Sequence, residues 1–181
     1  MKYVDSIESL ARLSEYLNMH NVDVLPLASL MLLGEIRNAQ VETGLSIGYR
    51  MSLDVAKSAQ KELKMAAPNT DVAKLVLKEA EESGTLNRLE QVEVILPYVE
   101  EIEEKTQELV TTCDISLTAV PVNFLLIKNE GRAVVILSDS TGKINSDSCL
   151  HITGREGLFW TELTLESLKS RVFSEYRSNR S

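Results

Sequence analysis

Histidine and cysteine are scarce in this chain. Among 181 residues, His20 and His151 are the only histidines, and Cys113 and Cys149 the only cysteines. None stands in a His-x-x-x-His or Cys-x-x-Cys spacing and no paired acidic cluster joins them, so no metal centre is expected. Two distant cysteines are too few to staple a secreted domain of this length, and both are expected reduced and buried. Cofactor signatures are missing too. The Gly142-Lys143 pair lacks the first glycine of a Walker loop and has Ile144 where Ser or Thr should hold magnesium. No Gly-x-Ser-x-Gly elbow exists. No apolar run approaches the roughly 18 residues of a membrane span, and MKYVDSIESL lacks the apolar core of a signal peptide. The cytoplasm is the expected compartment, with no membrane partner.

Positive charge is also short. Nineteen Lys and Arg face 27 Asp and Glu, a net charge of −8. This argues against a non-specific grip on phosphate backbones, and direct nucleic-acid binding is not expected. What remains is the mix of an ordinary globular chain, 44% hydrophobic and 25% charged. One domain, 1–181, is expected. The alternative is a division into a helix-rich part, 1–111, and a hairpin sheet with a terminal helix, 112–181.

Periodicity sets the expected elements. Ile7, Leu10, Leu13 and Leu17 recur at helical spacing behind a cap at Asp5. "VDVLPL" alternates like a strand, and "ASLMLLGEIRNAQVETG" reads as a helix stopped by Gly44. "LSIGYRM" alternates again and predicts a strand. "SLDVAKSAQKELKMA" predicts a helix from Ser52, and "DVAKLVLKEAEESG" another, capped by Thr70 and ended at Gly84. From Leu86 to Leu109 an apolar stripe would suit one long helix. Pro97 interrupts it, since proline inside a helix costs about 3 kcal/mol. The preferred reading is a strand, "VEVILP", then a helix, "YVEEIEEKTQELV", with a single kinked helix as the alternative.

After Cys113 the period becomes two. "DISLTAV", "VNFLLIK", "RAVVILS" and "SCLHIT" read as strands, with Gly131 supplying a positive φ to the hairpin turn at 129–132. "TELTLESLKSRVFSEYRS" reads as an amphipathic closing helix, with Leu163, Leu165, Leu168, Val172, Phe173 and Tyr176 on one face. The fold class is therefore α/β (mixed α–β). Its N-terminal half is helix-rich with β-α units, and its C-terminal antiparallel hairpin sheet is closed by a helix. An all-helical N-terminal half joined to a small α+β part is the alternative.

No residues form a recognisable catalytic site, and an enzyme is not expected. Asp139, Asp147 and His151 would matter only if folding gathered them in one cleft. Phe159, Trp160 and His151 are the candidate lining of a ligand pocket, although Phe159 and Trp160 suit a core plug as well. Leu89, Leu96, Ile102 and Leu109 are the candidate interface of a homodimer.

"ISLTAVPVNFLLIKNEGRAVVIL", then "CLHITGREGLF" and "VFSEYR", is a run of strand, hairpin, loop, strand and helix. Over Asp114 to Arg177 it resembles the sensor half of TrmB-like transcription regulators, domains that have the phospholipase D fold without its catalytic motif. Neither His20 nor His151 begins the His-x-Lys of phospholipase D-type phosphodiesterases. No helix-turn-helix or basic recognition helix is legible. The resemblance therefore implies a stand-alone, non-enzymatic regulatory domain that binds a small-molecule effector or a protein partner, or a homo-oligomer, in transcriptional or signalling control. The alternative is a structural or adaptor protein, phage- or defence-related, acting through protein contacts. No cofactor is expected.

Overall fold

A computed structural model of the chain describes residues 39–176 apart from 101, 111, 140 and 171. The helix expected at 6–17, the strand "VDVLPL" and most of the helix expected at 28–44 lie outside the described residues.

The elements run in the order β1 (Ala39–Thr43), α1 (Ile47–Ser58), β2 (Glu62–Ala66), α2 (Thr70–Glu82) and a 3-10 turn (Leu86–Arg88). Next come β3 (Gln91–Pro97), α3 (Ile102–Val110), β4 (Asp114–Thr118), β5 (Phe124–Lys128) and β6 (Ala133–Leu137). The run ends with β7 (Ser148–Ile152), α4 (Arg155–Lys169) and β8 (Val172–Tyr176). Among the described residues, eight strands form one mixed sheet, ordered β1-β7-β6-β5-β2-β3-β4-β8. β2, β3 and β4 are parallel, and the other neighbours are antiparallel. The architecture is mixed α/β, and strands from both sides of residue 111 interleave in it.

Alternation along each strand splits the core into two layers. Leu63, Met65, Val92, Val94, Leu96, Ile115, Leu117, Leu125, Ile127, Val134 and Ile136 meet α1, α2 and α3 on one face. Ala66, Ile95, Phe124, Leu126, Val135, Leu137, Leu150 and Ile152 lie on the other, with Leu165 of α4. Strands buried on both faces read as continuous apolar runs, as "FLLI" and "AVVIL" do.

α2 shows why a segment becomes a helix here. Val72, Ala73, Val76, Leu77 and Ala80 fall on one buried stripe, each large side chain contributing about 1.5–3 kcal/mol on full burial. The cap is Asn69, not Thr70 as expected: its Oδ1 accepts from Val72 N at 3.0 Å.

Other expectations are corrected. Residues 39–43, read as a helix end, form β1, and "LSIGYRM", read as a strand, opens α1. Ser46 precedes that helix in the left-handed region, at φ 53. Gly48 is there because a Cβ would lie 2.9 Å from Ile136 Cδ1. "ELKMA" leaves the helix expected from Ser52 and pairs as β2 between β3 and β5. The break at Pro97 is present with proline ending the strand, as expected, but α3 begins only at Ile102 and not at Tyr98. Gly131 has no positive φ. Its turn is held instead by Asn129 Oδ1, which accepts from Gly131 N at 2.8 Å and Arg132 N at 3.0 Å. The closing helix starts earlier than expected and stops at Lys169, and Val172–Tyr176 returns to the sheet beside β4. Both cysteines are buried thiols, and burial together with the Glu42 charge pushes Cys149 up to about 12. No helix among the described residues is long and apolar enough to cross a membrane.

Candidate functional site

The strand order reverses at β2. The chain moves from β2 through α2 to β3 and through α3 to β4, then returns to place β5 on the opposite side of β2. In open α/β sheets, ligands sit outside the carboxyl ends of the strands at such a switch point. Here β2 runs out through Ala67, Pro68 and Asn69 into α2, while Asn123, exposed, stands just before β5. Ser138, just after β6, donates its N–H to Asn123 O at 3.0 Å. By the alternation of β6, its side chain turns to the Val134 and Ile136 face, the face that α2 covers. Its hydroxyl is buried and has no hydrogen-bond partner.

The loop beyond it is self-supporting. Asp139 Oδ1 accepts from Thr141 N at 2.9 Å, Thr141 Oγ1 at 2.6 Å and Lys143 N at 3.1 Å. The Thr141 hydroxyl, foremost among these donors, lowers the Asp139 carboxyl below its usual range. Gly142, at φ +83, allows the loop to press against α2: a Cβ there would lie 2.8 Å from Asn69 Nδ2. That amide donates to Gly142 O at 3.2 Å. Asn69, Asn123, Ser138 and Asp139 thus surround the strand ends with hydrogen-bonding groups, one of them unsatisfied.

A second polar assembly lies on the other face, under α4. Lys128 Nζ meets Glu162 at 2.8 Å and Glu62 at 3.0 Å, and Lys64 bonds the same Glu162 and Glu62. Lys169 reaches Glu93 at 3.3 Å, and Gln91 donates to Glu93 at 3.2 Å. Three lysines face three glutamates. Burial works against ionisation of Lys64 and of Glu162, but the partner charges and hydrogen bonds outweigh it, raising Lys64 and lowering Glu162. Each of these six charges has a partner, so together they hold structure.

The candidate pocket of Phe159, Trp160 and His151 does not assemble. His151 pairs with Val134 and shares its face of the sheet, whereas α4, which carries the other two, lies on the opposite face. Phe159 is 60% exposed, and Trp160 is half-buried rather than a core plug. His151 Nε2 is buried without a partner. Burial and the Arg132 charge lower its pKa against the pull of Glu42. Asp139 and Asp147 do not join it: Asp139 folds onto its own loop, and Asp147 Oδ1 accepts from Ser46 N at 2.9 Å. The candidate interface is corrected as well. Leu89, Leu96, Ile102 and Leu109 are between 0% and 7% exposed and pack inside this chain's own core. The stripe is intramolecular because the break at Pro97 folds its two halves against one sheet. No group of His, Cys, Asp or Glu among the described residues could hold a metal ion.

Sequence reasoning missed Ser138 and the charged layer. One signal was available for the layer, the alternation Glu62, Leu63, Lys64, Met65 within "ELKMA". Ser138 gives none, since a serine ending an apolar strand looks like any loop residue.

No protein-family model and no curated protein matches the sequence. Solved structures do match in fold. The archaeal chromatin protein TrmBL2, whose structure shows a novel mode of DNA binding, superposes with a TM-score of 0.54 at 12% identity, over 95% of this chain and 68% of its own. Nuc from Salmonella typhimurium, a phospholipase D family member, superposes with a TM-score of 0.53 at 15% identity, over 77% of this chain and 99% of its own. The first likeness corrects an expectation. Acidic composition argued against nucleic-acid contact, yet a chromatin protein that binds DNA shares this fold. Net charge averages over the whole surface and does not exclude a locally suited one. Over these lengths the chain has the fold seen in TrmBL2 and in the phospholipase D family member Nuc, in agreement with the resemblance drawn from residues 114–177.

Proposed function

We propose that the chain is a non-enzymatic regulatory domain of cytoplasmic transcriptional control that takes a small ligand at the carboxyl end of β2. The buried, unpartnered hydroxyl of Ser138 carries this reading. Leaving a buried polar group unpaired costs about 1–3 kcal/mol, and a ligand group reaching it would recover that cost. Its position at the switch point, near exposed Asn123 and the Asn69 cap, supports the same reading. So does the sequence: His20 is followed by Asn21 and Val22, and His151 by Ile152 and Thr153, so neither begins a His-x-Lys pair. The lysines of β2 and β5 are each engaged by two carboxylates.

A thermal-shift survey across a metabolite panel tests it. At least one compound should raise Tm in the natural chain and lose its effect in Ser138→Ala, which should fold normally because the hydroxyl has no partner to lose. A panel without response, or a response unchanged in Ser138→Ala, removes the reading. Turnover of bis(p-nitrophenyl) phosphate would remove the non-enzymatic part.

The likeness to TrmBL2 favours a second reading, direct contact with DNA. Anisotropy titrations of a labelled duplex at several salt concentrations separate the two. Contact with phosphates requires an affinity that falls with salt, with a log–log slope of about −0.9 per phosphate engaged.

A further inference from the structure

We propose that α4 is an ionic latch, a helix that opens from an otherwise intact sheet as ionic strength rises because charges, more than apolar burial, hold it there. The contrast with α2 is the starting point. The 13 residues of α2 bury Val72, Ala73, Val76, Leu77 and Ala80. The 15 residues of α4 bury Gly157, Thr161, Thr164 and one large apolar side chain, Leu165. Leu158 and Leu168 are only partly buried.

Besides the apolar cluster that Leu165 joins, α4 covers charge. Lys128 and Glu93 are 5% and 6% exposed beneath it. Glu162 reaches down to Lys128 at 2.8 Å and to Lys64, and Lys169, two turns further on, reaches Glu93 at 3.3 Å. One more bond ties the end of the helix, from Thr118 Oγ1 to Leu168 O at 3.2 Å.

An apolar clamp loses its burial when it opens, with nothing in return. An ionic clamp behaves differently, since each separated charge regains hydration and the desolvation cost of pairing is refunded. Dissolved salt strengthens this asymmetry, because ions gather around the separated charges of the open state more than around the neutral closed cluster. Opening uncovers Glu62, Lys64, Glu93 and Lys128, charges that tolerate water, together with the small apolar patch of Ala66, Ile95 and Leu126 that clusters with Leu165. The opposite apolar layer under α1, α2 and α3 stays closed. The opening is therefore local, reversible and salt-controlled.

Native-state hydrogen exchange read by mass spectrometry on the full chain tests this. At low salt, the amides of 155–169 should exchange through an opening of their own, ahead of β2, β5 and β6. Raising sodium chloride from about 0.05 to 0.5 M should speed them about tenfold while those strands hold their rates. Glu162→Gln should reproduce the fast exchange at low salt, and Leu165→Ala should speed α4 while leaving its salt response in place. Exchange of α4 in step with the central strands, or α4 rates indifferent to salt, overturns the proposal. The salt series on the natural chain decides the matter even if Glu162→Gln fails to fold.

Discussion

The side-chain amide of Asn129 donates from Nδ2 to the carbonyl oxygen of Val55 at 2.9 Å, fastening the β5–β6 turn to the last part of α1. The same nitrogen donates to Ser58 Oγ at 3.1 Å, while Oδ1 takes two N–H groups of the turn. One buried residue thus joins the hairpin to the helix that covers it. Asn129→Ala should remove all four bonds and cost about 3 kcal/mol, read from the urea midpoint. Asn129→Asp should recover part of this loss, because Oδ1 survives while the donor does not.

Gly48 measures how closely α1 meets the sheet. A Cβ there would stand 2.9 Å from Ile136 Cδ1, 3.0 Å from Ile136 Cγ1 and 3.3 Å from Cys149 Cβ. Gly48→Ala should destabilise by about 1–3 kcal/mol through overpacking. Ile136→Val removes Cδ1 and should rescue part of it, so the double variant should be more stable than the two single losses added together predict.

Glu130 caps the start of β2. Its carboxylate accepts from Gln60 N at 2.8 Å and from Lys61 N and Glu62 N at 3.4 Å. Partial burial pushes this carboxyl up, but these N–H groups together with its own outweigh that and lower it. A lowered carboxylate contributes stability above its unfolded pKa, about 4.3, and loses it as pH falls through the folded value. Glu130→Gln should therefore cost about 1 kcal/mol at pH 7 and much less at pH 3, by denaturant titration at the two pH values.

His151 works on a different window. Its folded pKa is lowered, first by burial and then by Arg132, so the native state favours the neutral ring. The natural chain should keep full stability above the unfolded value of about 6.5 and lose it as pH drops toward the folded value. In His151→Phe, the fall in stability below about pH 6.5 that comes from this ring should disappear. An unchanged slope in that variant would show that other groups set it.

Much of the C-terminal half was legible. "FLLI" and "AVVIL" are apolar runs separated by a turn, the second rich in β-branched residues, and the strands pair residue for residue, Phe124 with Leu137 through Lys128 with Ala133. Pro97 announced the end of β3 because proline cannot continue the helical stripe around it. "ELKMA" was misread for a physical reason: Glu, Leu, Lys, Met and Ala all favour helices. It becomes a strand only because β3 and β5 supply both of its edges. "LSIGYRM" failed in the opposite sense, its alternation being an accident in a helix whose Gly48 must touch Ile136. "VFSEY" reads as the end of a helix by its local pattern, yet it pairs along the edge of β4.

The candidate site was less legible still. Whether His151 and Trp160 share a pocket depends on which face of the sheet each occupies. That follows from strand parity and from where α4 lands, neither of which is a local property. Likewise, a leucine stripe looks the same whether its partner is a second copy or the chain's own sheet. By itself, the sequence determined the period of its strands, the break at Pro97 and the absence of a His-x-Lys pair, because steric limits, alternation and residue identity act within a few positions. Only tertiary structure decided that Ser138 is buried without a partner and that six scattered charges meet under α4. Those outcomes depend on contacts between residues as much as 98 positions apart, and pairing at that range is set by the packing of the whole sheet.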